Sequence, residues 1–437
     1  MGKRGAGARG RTVAPSSVRH GKLKTPGPLS AIAKVIAAAV GVALVSATSV
    51  AAIAAWDVTN SIKPSVHLVG EKSAAPAPQL GAIPQIGAID GGVNLLLVGS
   101  DSRQGQDAVF GKGKDAEGVL NDVTMLLHIS QDHTNATVVS FPRDMFVPIP
   151  SCPDPRGGHF SSMTSQKINT TLSYGGLPCT VLTVSKLTGL DIPYAAMIQF
   201  SGVMAMSTAV GGVPVCVAEK IEDKYTGTFL DAGMHTLSGY EALQFLRTRH
   251  GVGDGSDLGR ISNQQVFLSS LMRTIKSADT LSNPIKLYAL GKAAVGNMML
   301  SQSLNNVNTM VQIALALKDI SLDKVVFIQY PTGYVAGGGG VEPIPSAANA
   351  LMTAIKADRP IALSGGTGPG QIGSVLETPA PVPGAPAAGT PAPTPSVGTP
   401  ATGTPATGAP VTVLPSQVTG QTAAEQTCSK GRTLKQQ

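Results

Sequence analysis

An uncharged run near the N-terminus constrains this chain more than any other feature of its sequence. Residues 35–56 read VIAAAVGVALVSATSVAAIAAW and contain no Asp, Glu, Lys or Arg. A helix of this length crosses a hydrocarbon core of about 30 Å. The run therefore predicts a single transmembrane helix over residues 31–56. A cleaved signal peptide is the alternative, because the run is Ala-rich, although its apolar region would then be unusually long.

Positive charge is concentrated before this run. Residues 1–30 contain seven Lys or Arg and no Asp or Glu, so the remaining 26 of the 33 basic residues balance the 26 acidic ones. A basic segment before a span holds the N-terminus in the cytoplasm. The sequence thus predicts a basic cytoplasmic tail over residues 1–30 of a single-pass cell membrane protein whose main domain is extracellular. A basic tail could also bind nucleic acid, but the uncharged run that follows it favours the membrane and argues against nucleic acid as a partner.

Composition divides the rest of the chain into three parts. Residues 57–91 are rich in Pro, Ala and Gly and predict an extracellular linker. Over residues 92–362, short apolar runs alternate with helical patterns, which indicates one α/β domain with helices on both faces of its sheet. Residues 363–437 are dominated by Pro, Thr, Gly and Ala and predict a disordered tail. Only its last stretch, TGQTAAEQTCSKGR, has ordinary composition, typical of a small docking segment.

The four cysteines lack the CxxC spacing of a zinc ribbon or thiol redox motif; they are Cys152, Cys179, Cys216 and Cys428. An extracellular domain favours disulfides. Cys152 and Cys179 flank a loop-rich stretch and are the candidate pair. Reduced, buried thiols are the alternative.

Two carboxylates and an arginine are predicted to converge at one edge of the sheet. The run NLLLVGS ends just before Asp101, and two further apolar runs around a polar turn predict an antiparallel hairpin. Asp122 opens this hairpin and Arg143 follows it, so the hairpin returns Arg143 to Asp122. If the first strand runs antiparallel to the second, Asp101 joins them. Two close carboxylates repel unless a cation separates them, which indicates Mg²⁺ or Mn²⁺.

The stretch FLRTRHGVGDGSDLGRISNQQ, residues 245–265, adds charge in a chain that is poor in it. Arg247 and Arg249 would point to nearly opposite sides of a helix, so the helix must end near Leu246 for both to face one anion. Guanidiniums form paired hydrogen bonds with phosphate oxygens, which favours a phosphorylated ligand. The further candidates are Lys167, Asp257, Arg260, Gln264 and Gln265.

These motifs together resemble the LytR-CpsA-Psr family, and in particular an actinobacterial member. They are NLLLVGSDSR, NDVTMLLHIS, VVSFPRDMFVPIP, KIN followed by YGG, and RTRHGVGDGSDLGRISNQQ, in that order. The resemblance covers about residues 92–275 closely. It implies a three-layer α-β-α sandwich with a mixed central sheet. It also implies an apolar tunnel for a lipid and a charged mouth for a diphosphate.

The same resemblance implies a metal-dependent phosphotransferase. Such an enzyme moves a glycopolymer, such as teichoic acid or arabinogalactan, from a polyprenyl diphosphate carrier to peptidoglycan through a phosphodiester. Carried over to this chain, Asp101 and Asp122 hold Mg²⁺. The diphosphate is bound by Arg143, Lys167, Arg247, Arg249 and Gln264 or Gln265, with Arg103, Asp257 and Arg260 at the rim. Asp122 and Asp257 are the candidates for the general base, and loss of Arg249 should abolish transfer.

The sequence departs from the family pattern at two positions. Val123 follows Asp122 where many members have a hydroxyl, and Asn263 precedes the two glutamines where Arg is common, which predicts one cation fewer at the mouth. Two other functions fit the same residues. One is a lipid diphosphate pyrophosphatase with water as acceptor, and the other is a non-catalytic wall-binding or lipid-binding protein.

Overall fold

A computed structural model describes residues 28–60, 64–71, 88–102, 119–277, 284–364, 374–376 and 411–437. Most of the predicted cytoplasmic tail and much of the predicted linker lie outside these residues. The chain divides into two compact units, Met1–Trp56 and Asp57–Gln437.

Helix α1 runs from Pro28 to Asn60, and its residues up to Trp56 form the described part of the first unit. In the part of the chain that the structure describes, no helix combines the length and the apolar character needed to cross a membrane. The transmembrane helix predicted over residues 31–56 therefore stays a prediction.

Short strands alternate with helices along the second unit. The strands are β1 Val93–Ser100, β2 Asn121–Ile129, β3 Ala136–Phe141, β4 Phe146–Ile149, β5 Cys152–Pro153, β6 His159–Phe160, β7 Met163–Lys167, β8 Tyr194–Ile198, β9 Val213–Val217, β10 Ile221–Asp223, β11 Thr228–Leu230, β12 Gly233–Leu237, β13 Met298–Leu300, β14 Val325–Gln329, β15 Thr332–Tyr334, β16 Val341–Pro343, β17 Ile361–Leu363, β18 Ser374–Leu376, β19 Thr412–Leu414, β20 Gly420–Thr422 and β21 Thr427–Ser429. The helices after α1 are α2 Thr171–Thr188, α3 Phe200–Ala209, α4 Gly239–Arg247, α5 Asp257–Lys276, α6 Pro284–Asn297, α7 Val307–Lys318 and α8 Pro345–Lys356.

A seven-stranded mixed sheet forms the centre of this unit, as predicted. Its spatial order is β13-β8-β1-β2-β3-β14-β20. The pairs β1–β8 and β3–β14 are parallel, whereas β1–β2 and β2–β3 are antiparallel. Strand β3, ATVVSF, shows why these segments extend, because its β-branched and aromatic side chains are all buried. The predicted hairpin is formed by β2 and β3.

Alternate side chains of the sheet enter two cores on its opposite faces. Leu96 of β1 packs in one core with Val181 of α2 and Leu351 of α8. Leu95 packs in the other core with Ile313 of α7. Because successive side chains of a strand point to opposite faces, this arrangement requires helices on both sides of the sheet. The helices on both faces agree with the predicted three layers.

The prediction of a disordered tail over residues 363–437 is wrong for its last part, because residues 411–437 are folded. Strand β20 pairs with β14 as an edge of the central sheet. Strand β21 lies between β9 and β18 in a second sheet of order β12-β9-β21-β18. These strands are only three residues long, and their apolar content was too small to stand out after a Pro/Thr/Gly/Ala tract.

Two disulfides connect the four cysteines. The predicted bond between Cys152 and Cys179 is present and joins β5 to α2. A second bond, which the sequence analysis did not predict, joins Cys216 of β9 to Cys428 of β21 across 212 residues. The C-terminal segment, residues 411–437, is therefore covalently held to the main domain.

Candidate active site

Asp101 and Asp122 lie at the edge of the central sheet where β1 ends and β2 begins. Asp101 Oδ1 accepts a hydrogen bond from the backbone N–H of Leu120 at 2.8 Å. Burial raises the pKa of Asp101 most, whereas the hydrogen bond from Leu120 lowers it. The charge of Asp122 raises the pKa and the charge of Arg143 lowers it. The net shift of the pKa is upward. Because Ser100 of β1 pairs with Asn121 of β2, Asp101 and Asp122 lie at neighbouring strand ends, as predicted from the hairpin.

Arg143 reaches Asp122 through the hairpin that β2 and β3 form. Its Nη1 donates to Asp122 Oδ1 in a close ion pair, and its Nε lies 3.6 Å from Asp144 Oδ2. Burial lowers the pKa of Arg143, but the charges of Asp122, Asp144 and Asp257 outweigh it and raise the pKa overall. The guanidinium therefore stays charged beside the carboxylate pair.

Asp144 links Arg143 to the predicted cation Lys167. Lys167, at the end of β7, donates from Nζ to Asp144 Oδ1 at 3.1 Å. Its ammonium also lies 5.8 Å from the centre of the Phe146 ring. Asp144 was not among the predicted site residues, although it directly follows Arg143 in the motif PRD.

Arg247 and Arg249 face one polar pocket because helix α4 ends at Arg247, one residue beyond the predicted end. Thr248 then has an extended backbone, with φ −59° and ψ 132°. The Arg247 guanidinium lies 4.4 Å from the centre of the Phe200 ring. Arg249 Nε donates to the backbone oxygen of Gly255 at 3.2 Å. Both arginines line a pocket of about 200 Å³.

Asp223, at the end of β10, fixes the chain between these arginines. Its Oδ2 accepts from the Thr248 hydroxyl at 2.7 Å and from the Arg249 backbone N–H at 3.1 Å. Its Oδ1 accepts from the backbone N–H of Tyr225 at 2.9 Å. Burial would raise the pKa of Asp223, but these hydrogen bonds and one from Thr226 lower it overall. No sequence pattern connected this carboxylate with Arg249.

Asp257 begins helix α5, which the side chain of Ser256 caps. Asp257 Oδ2 accepts from the backbone N–H of Arg143 at 3.1 Å, and Oδ1 lies 2.5 Å from Arg260 Nη2. Arg260 Nη2 also donates to the backbone oxygen of Asp122 at 2.9 Å. Asp257 and Arg260 are both buried. Asp257 thus connects α5 to the segment that carries Arg143.

The two predicted glutamines occupy different sides of α5. Gln264 lines an apolar groove, and its Nε2 donates to the backbone oxygen of Leu246 at 3.1 Å. Gln265 is 1% exposed, and its backbone oxygen accepts from the side chain of Gln421 in the C-terminal segment. The structure therefore places Gln264 with the arginines and Gln265 away from them.

Asn263 does not lie at the mouth of the site, contrary to the interpretation from the sequence. Its side chain is buried, and Nδ2 donates to the backbone oxygen of Phe245 at 2.7 Å. Its Oδ1 accepts from the hydroxyl of Ser429. Asn in place of Arg at this position therefore affects the contact between α5 and the C-terminal segment, and no cation is lost from the mouth.

The apolar groove, of about 270 Å³, lies between the sheet and helices α3, α4 and α5. Its wall includes Val98, Phe200, Val203, Leu246, Phe267 and Leu268. One end is polar, because Asp122, Arg247 and Arg260 line both the groove and the pocket of Arg249. An apolar groove that opens onto clustered arginines suits an amphiphile with an anionic head.

Asp101 and Asp122 also fit a small divalent cation. Carboxylate oxygens are the ligands that Mg²⁺ prefers, and Mg²⁺ usually completes its shell with water and phosphate. Within the described ranges, no group of three or more His, Cys, Asp or Glu side chains could hold a metal. The cation at Asp101 and Asp122 therefore stays a prediction. Arg103, the remaining predicted site residue, lies outside the described residues.

Comparison with known proteins gives a consistent family. The sequence model described as the LytR_cpsA_psr family matches residues 64–342. The probable cell wall biosynthesis protein LcpB of Corynebacterium glutamicum is 33% identical over 271 residues, which is 60% of this chain and 60% of the relative. The cell wall biosynthesis protein LcpA of the same species is 29% identical over 275 residues, 58% of this chain and 52% of the relative. This chain thus spans about half to three fifths of the length of these two relatives.

A third relative is the polyisoprenyl-teichoic acid–peptidoglycan teichoic acid transferase TagT of Bacillus subtilis. It is 28% identical over 295 residues, 63% of this chain and 83% of the relative. Among solved structures, the LytR-Csp2A-Psr enzyme from Actinomyces oris matches with a TM-score of 0.49 and 22% identity, over 67% of this chain and 96% of that chain.

Proposed function

Because the chain belongs to the LytR-CpsA-Psr family, we propose that it transfers a glycopolymer from a polyprenyl diphosphate carrier to peptidoglycan and joins them through a phosphodiester. One observation carries the proposal. The apolar groove ends at Asp122, Arg247 and Arg260, which also line the arginine pocket. A prenyl chain matches the groove in polarity, and the diphosphate that follows it matches the pocket in charge.

The arginines bind the diphosphate from two sides in this proposal. Arg143 and Arg249 also line a neighbouring cleft and approach from that side, whereas Arg247 and Arg260 approach from the groove. Each is oriented by a contact within the protein, such as the Phe200 ring under Arg247 and Asp257 beside Arg260. Fixed cations stabilise developing phosphate charge without reorganisation during the reaction.

Asp101 and Asp122 would hold Mg²⁺ or Mn²⁺ at the same edge of the sheet. A bound divalent cation would neutralise diphosphate charge and stabilise the leaving lipid phosphate. The position of the two carboxylates supports the pair, because Asp101 directly follows β1 and Asp122 lies in β2, where the end of β1 pairs with the start of β2.

In the transfer step, a peptidoglycan hydroxyl attacks the phosphorus that bears the sugar. The bond between this phosphorus and the bridging oxygen breaks, and the lipid monophosphate leaves with its electron pair. Asp257 contacts Arg143 and Arg260 through its two oxygens, which supports a positioning role. Asp122 lines both the pocket and the groove and is the stronger candidate to accept the hydroxyl proton. Positioning and charge carry such reactions, so no covalent intermediate is required.

One reconstituted reaction tests the proposal. The purified full-length chain is incubated with Mg²⁺, a synthetic polyprenyl diphosphate disaccharide and peptidoglycan oligomers, and the products are analysed by mass spectrometry. We expect a disaccharide phosphate joined to peptidoglycan, together with lipid monophosphate. Free sugar phosphate without a joined product would identify a pyrophosphatase instead. An unchanged donor that nevertheless binds would identify a non-catalytic lipid-binding protein.

A further inference from the structure

A second polar cleft, of about 550 Å³, adjoins the arginine pocket on the side away from the apolar groove. Arg143 and Arg249 line both the cleft and the pocket, whereas Arg247 lines the pocket and the groove. Groove, pocket and cleft are therefore connected through shared arginines, with the pocket in the middle. A ligand whose lipid occupies the groove and whose diphosphate occupies the pocket directs its next group toward the cleft.

Asp144 and Lys167 form one wall of this cleft. Their side chains are ion-paired at 3.1 Å and partly exposed. The carboxylate can accept hydrogen bonds and the ammonium can donate them, so the pair offers both roles side by side. Neighbouring hydroxyl groups of a sugar need this combination.

Other lining residues of the cleft belong to a hairpin formed by β15 and β16, with a turn through Gly337, Gly338 and Gly339. All three glycines have a positive φ, between 83° and 91°. Tyr334, the last residue of β15, lines the cleft although its side chain is 62% exposed. An exposed aromatic ring that packs against little of its own protein is available to a ligand.

The hairpin is docked closely on the Asp144 segment, which fixes the width of the cleft. The backbone N–H of Val341 donates to the backbone oxygen of Asp144 at 3.2 Å. A Cβ atom added at Gly340 would lie 2.7 Å from the Phe146 ring and closer still to the Asp144 oxygen. Only glycine permits this approach. Tyr334 is thereby held on a hairpin anchored beside the polar wall.

We propose that this cleft is a saccharide-binding subsite, in which the Tyr334 ring packs against a pyranose ring and the Asp144–Lys167 pair hydrogen-bonds to its hydroxyl groups. A pyranose has an apolar face and polar edges, which match an aromatic surface and a flanking ion pair. The volume falls within the range of about 300–1,000 Å³ typical of small-ligand sites. The inference rests on the proposed function, since the sugar belongs either to the donor or to the peptidoglycan acceptor.

Direct titrations of the full-length chain test the subsite. The probes are polyprenyl diphosphate without sugar, the same lipid carrying a disaccharide, and soluble peptidoglycan fragments. The variants are Tyr334→Ala, Tyr334→Phe and, as a matched control, Tyr240→Ala, whose tyrosine is 46% exposed on α4 and lines none of the three cavities. Calorimetry or saturation-transfer NMR gives each Kd.

We expect Tyr334→Ala to weaken saccharide binding about 10-fold, equivalent to about 1.4 kcal/mol, with sugarless lipid bound as before. Tyr334→Phe and Tyr240→Ala should bind every probe like the original chain. A loss confined to the disaccharide lipid identifies the donor sugar, and a loss confined to the fragments identifies the acceptor. Unchanged binding of both saccharides to Tyr334→Ala would overturn the subsite. If the original chain binds neither lipid, the proposed function fails, and the fragment titration alone decides the subsite.

Discussion

The carboxylate of Asp223 accepts a hydrogen bond from the backbone N–H of Arg249 at 3.1 Å. It also accepts from the Thr248 hydroxyl, so one buried anion orders the turn that directs Arg249 into the polar pocket.

Asp223→Ala should therefore disturb the site by releasing the turn that carries Arg249. Four donors lose a buried acceptor, and hydrogen bonds to a charged group are worth about 1.5–3 kcal/mol each. We expect a lower Tm and weaker binding of polyprenyl diphosphate. Asp223→Asn keeps one acceptor oxygen, so its Tm and its lipid affinity should lie between those of the original chain and those of Asp223→Ala. An Ala variant with unchanged lipid affinity would contradict the anchoring role.

The same carboxylate predicts how stability depends on pH. Its pKa is below the ordinary value of 3.8 in the folded chain. The unfolded chain then binds a proton more readily, so the stabilisation is present above pH 3.8 and is lost as the pH falls through the lowered folded value. Chemical denaturation at several pH values should show less acid destabilisation in Asp223→Asn than in the original chain.

Arg249→Ala should reduce transfer by about 10² or more, because a fixed donor to developing phosphate charge is lost. Arg249→Lys keeps the charge but not the planar, paired donors, and we expect partial activity. The control is Arg156→Ala, whose side chain is 82% exposed and pairs with nearby Asp154. All three variants should retain the original circular dichroism spectrum and Tm within error.

Val203→Trp should obstruct the apolar groove, because Val203 on α3 forms part of its wall. A long prenyl chain would lose room, so the KM for a long-chain donor should rise several-fold more than that for a short-chain donor. Val311→Trp on α7 makes the same change at an exposed position and should alter neither the KM for the long-chain donor nor that for the short-chain donor. Equal effects on both donors would count against the groove as the lipid site.

Asp101→Asn should weaken Mn²⁺ binding, measured by electron paramagnetic resonance of the free ion. It removes one of the two carboxylates that could hold the cation. Asp319→Asn on the surface beyond α7 is the matched control. Removal of divalent ions by a chelator should lower transfer by the original chain, and added Mg²⁺ should restore it. Transfer that is indifferent to both treatments would rule out the proposed metal.

Cys428→Ser should loosen the loop at residues 249–256, although Cys428 itself lies outside that loop. In the C-terminal segment, the backbone N–H of Arg432 donates to the backbone oxygen of Gly251 at 2.8 Å, and a backbone oxygen accepts from the N–H of Gly253 at 2.9 Å. Gly251 and Gly253 both lie in the loop that follows Arg249. Loss of the disulfide should cost about 2–5 kcal/mol. Hydrogen exchange should rise over residues 249–256. Cys152→Ser with Cys179→Ser should lower Tm but leave exchange at 249–256 unchanged.

Local patterns in the sequence predicted the elements that bring the site together. The hairpin of β2 and β3, the end of α4 near Leu246 and the disulfide between Cys152 and Cys179 all follow from runs, turns and short spacings, and the structure has each of them. The family is likewise confirmed. These features depend on neighbours within a few tens of residues.

The features that the sequence did not predict depend on distant pairings. Asp223 meets Arg249 only because β10 and the loop after α4 are packed together, and three-residue strands such as β10 and β21 carry little periodicity. The choice between Gln264 and Gln265 required the rotation of α5 about its axis. Neither was accessible from spacing alone.

The C-terminal strands complete sheets whose other strands are synthesised earlier. Strand β14 forms its hydrogen-bonded ladder with residues 420–422, and Cys216 forms its disulfide with Cys428. A nascent chain consequently presents an unpaired β14 edge until residues 420–422 have been synthesised. Unpaired edges template association with other chains. A premature stop codon before residue 420 should therefore yield an aggregation-prone product even though it spares every arginine of the pocket.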